Sequence, residues 1–207
     1  MVYIGVDEVG TGALAGPIVA GAICAPVNLP FRRLREFWPL SRIKDSKKTK
    51  YPARKRAIDD LMGVAGLYGW GVGVGIVEVS DIERLGHRSS TDLALAKAVH
   101  AASEDCALEP EVVVIDGNVE IPRRLQHTSY RQVCVPKGDS LYWHVAAGSI
   151  LAKWVRDLLL RDLEKTCPGY GLGQHKGYGT KEHTAALQQL GLVPGVHRPC
   201  ASRRLHA

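Results

Sequence analysis

The stretch Ile4-Gly5-Val6-Asp7-Glu8-Val9-Gly10-Thr11-Gly12-Ala13-Leu14-Ala15-Gly16-Pro17 decides how the rest of the chain is read. Apolar residues up to Val6 predict a buried strand, and two adjacent carboxylates follow where that strand meets a glycine-rich turn. Successive strand residues point to opposite faces, so Asp7 and Glu8 share one surface only if the strand ends there. Acid in that place predicts chemistry rather than packing. Gly10 and Gly12 after a strand invite a dinucleotide-fingerprint reading, but the next glycine is out of register. Pro17 also leads a β-like run instead of the helix that would hold a pyrophosphate. A turn that brings backbone N–H groups close to a substrate is the other use of such glycines.

Outward from this stretch, Ile18 to Ala25 reads as a second strand hairpinned on the first and stopped by Pro26. Residues 31–56 then change character, with eleven Lys or Arg against only Glu36 and Asp45. A charge run is usually a solvated face. Beside the opening carboxylates, and with a net charge of +6, it points toward a polyanion, nucleic acid before membrane. The 207 residues suit one domain spanning 1–207, with residues from about 168 to 207 as a loop-helix appendage. Five scattered cysteines without a CxxC pair suggest neither zinc nor disulfides and fit reduced thiols, so a cytoplasmic protein is expected. No apolar run reaches membrane-spanning length, and the start has no signal-like pattern.

Further along, helices are predicted over residues 51–63, 90–105, 140–165 and 180–190, and strands over 67–79, 111–115 and 131–136. Asp116 ends the Val-Val-Val-Ile strand. Asp139 opens the long helix, whose early turns carry Ala146, Ala147, Gly148 and Ser149 and so allow close packing on a sheet. The loop from Gln174 to Thr180 mixes glycine with basic and aromatic residues, and the tail after His197 is basic and expected to be poorly ordered at its end. If the strands ending at Asp7 and Asp116 are neighbours, their carboxylates share one edge of the sheet. Grouped carboxylates repel, and a hard divalent cation is what makes such a group useful. Singly, Asp139 could be a helix cap, Asp116 a turn residue and Glu8 a surface charge.

Five blocks carry a resemblance to the type 2 ribonucleases H, specifically ribonuclease HII. They are Gly5-Val6-Asp7-Glu8-Val9-Gly10-x-Gly12, Asp45-Ser46-Lys47-Lys48, Ile115-Asp116-Gly117-Asn118, Lys137-Gly138-Asp139-Ser140 with Ser149-Ile150-Leu151-Ala152-Lys153-x-x-Arg156-Asp157, and His175-Lys176-Gly177-Tyr178. They occur in the family's order and span nearly the whole chain. The resemblance implies an α/β, RNase H-like fold: a five-stranded mixed sheet flanked by helices, with a helical C-terminal part. It implies that Asp7, Glu8, Asp116 and Asp139 hold Mn2+ or Mg2+. Gly10, Thr11, Gly12, Lys47, Lys48, Ser149, Lys153, Lys176 and Tyr178 would then contact substrate. The implied activity is endonucleolytic cleavage of RNA in RNA/DNA hybrids and nicking of duplex DNA 5′ of an embedded ribonucleotide, by a monomer with no membrane partner. The rival readings are another acid-cluster nuclease or polynucleotidyl transferase, and a catalytically weak nucleic-acid-binding module.

The chain departs from the family pattern at Thr11, where the resemblance leads one to expect arginine between the glycines. Backbone recognition survives that change, but a cation is lost. Cleavage with weakened phosphate contact is expected, and Thr11→Arg should bind a hybrid more tightly at matched salt.

Overall fold

The computed structural model describes residues 1–26 and 51–204. Lys47, Lys48 and most of the basic run lie outside the described residues. The strands are β1 (Val2–Val9), β2 (Ile18–Pro26), β3 (Gly71–Val77), β4 (Val112–Asp116) and β5 (Arg131–Val135). They form one sheet in the order β3-β2-β1-β4-β5. β1 is antiparallel to β2 and parallel to β4, β2 is antiparallel to β3, and β4 is parallel to β5, so the sheet is mixed, as expected.

The register explains the site. The β1–β4 ladder ends at Val6 opposite Ile115, so the next residue on each strand, Asp7 and Asp116, leaves the ladder at the same end. β1 does not stop at Asp7. It runs on to Val9 with Asp7 opposite Gly21 and Glu8 opposite Ala20. Past Val6 it has a neighbour on the β2 side alone, and the open edge lets both acids border one space.

Helix α1 (Tyr51–Tyr68) runs beyond the predicted end at Gly63. Two helices follow β3: a short α2 (Val79–Leu85), which sequence periodicity missed, and α3 (His87–Asp105). α3 starts three residues before Ser90, which is buried inside it and donates from its hydroxyl to the Gly86 carbonyl. The predicted Asp139 helix is two helices, a single turn α4 (Gly138–Leu141) and α5 (Trp143–Thr166), broken at Tyr142. The C-terminal part carries α6 (Leu172–His175) and α7 (Lys181–Leu190), the latter capped by the Thr180 hydroxyl accepting from His183 N–H.

α3 covers one face of the sheet, where Ile4, Val6, Ile18, Val113 and Ile115 meet Ala94, Ala98 and Val99. α1 and α5 cover the other, around Ile23, Leu61, Trp70 and Ile150. Neither helix is cushioned by side chains along its closest line. A Cβ on Gly71, Gly73 or Gly75 of β3 would overlap the carbonyls of Ala102, Ala98 and Ala94 in turn, and Gly21 and Gly148 press α5 on β2 in the same way. A third cluster, with Leu14, Leu160, Tyr170, Leu172 and Leu187, fastens the C-terminal part to the segment after the glycine turn. In the tail, His197 and Arg198 are buried and a 3-10 turn runs from Pro199 to Arg204, while its end, residues 205–207, lies outside the described residues. No helix among the described residues is long and apolar enough to cross a membrane.

Candidate active site

Asp7, Asp116 and Asp139 each offer a carboxylate oxygen within 4.8 Å of the other two. Three elements supply them: β1, β4 and the single turn α4. Asp139 reaches the group because Lys137, just before it, takes a left-handed backbone conformation (φ 60°) that is unusual for a residue with a side chain. The same bend aims the Gly138 N–H at Asp116 Oδ1, 2.6 Å away. Asp7 Oδ1 accepts from the Glu8 N–H at 2.7 Å, and the Ser149 hydroxyl, from α5, also bonds to the Asp7 carboxylate. Ser149 arrives there through the bare Gly21–Gly148 contact one residue earlier.

Burial pushes the Asp7 carboxyl up to about 8 against the help of Ser149, with the charges of Glu8 and Asp116 adding to the rise. Glu8 is raised by burial and by Asp116, and Asp116 by burial. Three close oxygen donors, one of them held protonated near neutral pH by its surroundings, are a poor arrangement in isolation. They suit a hard divalent cation, whose charge reverses each of these penalties.

The carboxylates open into a cavity of about 790 Å³. Glu8 lines it but falls outside the close trio of oxygens. Thr11 and Gly12 line the same cavity, as do Ser149, Lys153, Lys176 and Tyr178. Gly10 does not. It is buried at φ 89°, and a Cβ on it would overlap Arg156 Nε. Lys137 and Ser140 also border the cavity, although reasoning from sequence assigned them no role.

The cationic wall is braced from below. Asp157, buried, pairs with Lys153 and with Arg54 of α1. Burial lowers the Lys153 and Lys176 ammonium groups, which Asp157 partly offsets. Tyr178 is held by its backbone, its N–H donating to the His175 carbonyl (3.1 Å) and its carbonyl accepting from buried His183 Nδ1 (3.0 Å). The Gly177 carbonyl in turn accepts from Leu14 and Ala15 N–H at 2.8 and 3.2 Å. The glycine turn and the Lys-Gly-Tyr loop are thus one bonded unit.

The sequence pattern defining the Ribonuclease HII family matches residues 4–206. The chain belongs to the ribonuclease HII family. Ribonuclease HII of Halorhodospira halophila is 40% identical, the match covering 94% of this chain and 89% of that one. Ribonuclease HII of Fusobacterium nucleatum is 36% identical, over 98% of this chain and 86% of its own. Solved structures agree on the fold. RNase HII of Archaeoglobus fulgidus, solved with PCNA, superposes with a TM-score of 0.74 at 24% identity, covering 96% of this chain and 94% of that chain. Bst-RNase HIII in complex with Mn2+ gives a TM-score of 0.74 at 22% identity, covering all of this chain and 69% of its own. Ribonucleases HII are divalent-metal-dependent nucleases, and this chain gathers an acidic trio that could hold such a metal.

Proposed function

We propose that this chain is an endoribonuclease that hydrolyses the RNA strand of RNA/DNA hybrids and nicks DNA 5′ of embedded ribonucleotides, leaving 3′-hydroxyl and 5′-phosphate ends. It works as a monomer, with Asp7, Glu8, Asp116 and Asp139 holding Mn2+ or Mg2+. The observation that carries this reading is the meeting of three carboxylate oxygens within 4.8 Å in a cavity whose other walls are cationic and aromatic. When bound, such cations activate water and stabilise the departing oxygen of an in-line displacement at phosphorus.

The chain's own groups do the rest. Ser149 and the Gly138 N–H fix the orientation of Asp7 and Asp116, so the donor oxygens are set before substrate arrives. Lys153 and Lys176 neutralise phosphates beside the cut. Among the described residues, the Thr11 and Gly12 N–H groups have no backbone acceptor, while the Thr11 carbonyl is already engaged by side chains. N–H groups without an acceptor among the described residues, on a cavity wall, suit the ribose 2′-OH, the feature that separates RNA from DNA at the cut. Tyr178 presents its ring to that sugar.

The test is a duplex carrying one ribonucleotide, incubated with Mg2+ or Mn2+, with the product ends mapped. A single nick on the 5′ side of the ribose is expected. Failure to cut both this duplex and a continuous hybrid would overturn the reading.

A further inference from the structure

The start of α3 meets the glycine turn, which borders the cavity, through a group that no sequence motif marks. His87, its first residue, lies against the glycine turn with Nε2 2.7 Å from the Thr11 carbonyl. A carbonyl can only accept, so Nε2 is the protonated nitrogen of that ring. Arg198 Nη1 reaches the same oxygen at 3.3 Å, and its Nε bonds the Gly16 carbonyl at 2.9 Å. The glycine turn is therefore gripped from two sides.

Arg88 stands next to His87 with its side chain 55% exposed. Its guanidinium is held by Asp92, one helical turn on, through Nη2–Oδ1 at 2.9 Å and Nε–Oδ2 at 3.2 Å. The Asp92 side chain is only 7% exposed. An exposed helical ion pair contributes little to stability, yet this one is built with a buried carboxylate and two bonds. Glu8 follows Ile4 and Val6 at alternate positions of β1, on the side of the sheet that α3 covers. On the preceding helix α2, Arg84 pairs with Asp81 at 2.7 Å. Lys153 and Lys176 belong to α5 and the loop beyond it, across the sheet from α3. A duplex is wider than the cavity, and its phosphates must cross the rim on the α3 side too.

We infer that Arg88 binds a backbone phosphate of the substrate duplex on the glycine-turn side of the cavity, with His87 as the positioning residue that fixes the turn beside it. This rests on the nuclease reading above, and the test separates the two. In an Asp7→Asn background, the affinity for a short RNA/DNA hybrid is measured over a series of salt concentrations. Arg88→Ala should weaken binding about three- to tenfold at low salt and reduce the slope of log K against log salt by about one. Arg88→Lys, which keeps the charge, should keep the slope, and adding Thr11→Arg to Arg88→Ala should restore it. His87→Ala should reduce the preference for a ribonucleotide-containing duplex over all-DNA duplex, with the salt slope kept. An unchanged slope in Arg88→Ala, or equal losses in Ala and Lys variants, overturns the inference alone. If the Asp7→Asn protein binds no hybrid and the unaltered protein cuts none, the nuclease reading falls with it.

Discussion

Asp7→Asn is expected to abolish metal-dependent cleavage, slowing it by a factor of about a thousand or more, since a lost cation ligand forfeits several kcal/mol of transition-state stabilisation. Hybrid binding should survive. That combination separates an enzyme from a binding module, and unchanged cutting would remove Asp7 from the site. The same variant makes a second, opposite prediction about stability. In the metal-free folded protein the Asp7 carboxyl is pushed up to about 8, against 3.8 as its ordinary value. The folded state therefore holds a proton that the unfolded chain gives up. Its contribution to stability is complete below about pH 4 and is lost as the pH rises through about 8. Asparagine carries no such charge. Metal-free Asp7→Asn should melt above the unaltered protein at pH 9, with the gap closing toward pH 5. Added Mg2+ or Mn2+ should raise the melting temperature of the unaltered protein most at high pH, where no proton competes for the oxygen, and should raise the variant's far less.

Arg156→Ala is expected to cost roughly 3–5 kcal/mol of folding stability, the range for stripping one partner from a buried charged network. Arg156 is fully buried. Its Nε donates to the Pro17 carbonyl (3.0 Å), Nη1 to Lys176 (2.8 Å) and Nη2 to Ala15 (3.0 Å). The guanidinium carbon also lies 5.5 Å from the Tyr178 ring centroid. It is thus the bolt between the glycine turn and the Lys-Gly-Tyr loop, and removing it leaves three carbonyls with a partner gone. Denaturant unfolding should report the stability loss, and cleavage should fall further than the loss of folded protein explains. Gly10→Ala attacks the same bolt from the other side, because its Cβ would overlap Nε. The two changes together should cost less than their sum, since alanine at 156 vacates the space. Strict additivity would deny the coupling.

Much of this was legible in residue order. Hydrophobic runs marked all five strands, and the habit of ending them in acid marked Asp7 and Asp116. The ladder register then did what sequence could only make conditional, setting those two side by side. Asp139 is legible, but not its one-turn helix, because the left-handed Lys137 that opens it and the extended Tyr142 that ends it are conformations no propensity foretells. The start of α3 is read too late from sequence because Ser90 looks like a cap, whereas it lies inside the helix and its hydroxyl donates back to the carbonyl of Gly86, the residue before the helix. The hold of His87 and Arg198 on the glycine turn is illegible in sequence for a different reason. They reach Thr11 across 76 and 187 positions of chain, and contacts that distant leave no periodic trace. Arg156 lay inside a recognised block, but a fully buried cation satisfied by three carbonyls cannot be told from an exposed one by its letter.

The bare contact between β3 and α3 works as a vernier. Two strand residues advance about 6.7 Å and four helical residues about 6 Å, so three glycines and three alanines can mesh like two scales of nearly equal pitch. Meshing scales can also slip by one division. Two latches prevent it: the Val72 N–H on Asp105 Oδ2 and Lys97 Nζ on the Ile76 carbonyl, each 3.0 Å. One division of slip would carry His87 about 6 Å along the helix axis and out of reach of Thr11. Glycines in a strand that borders no substrate therefore gauge how far a distant helix end extends over the cut.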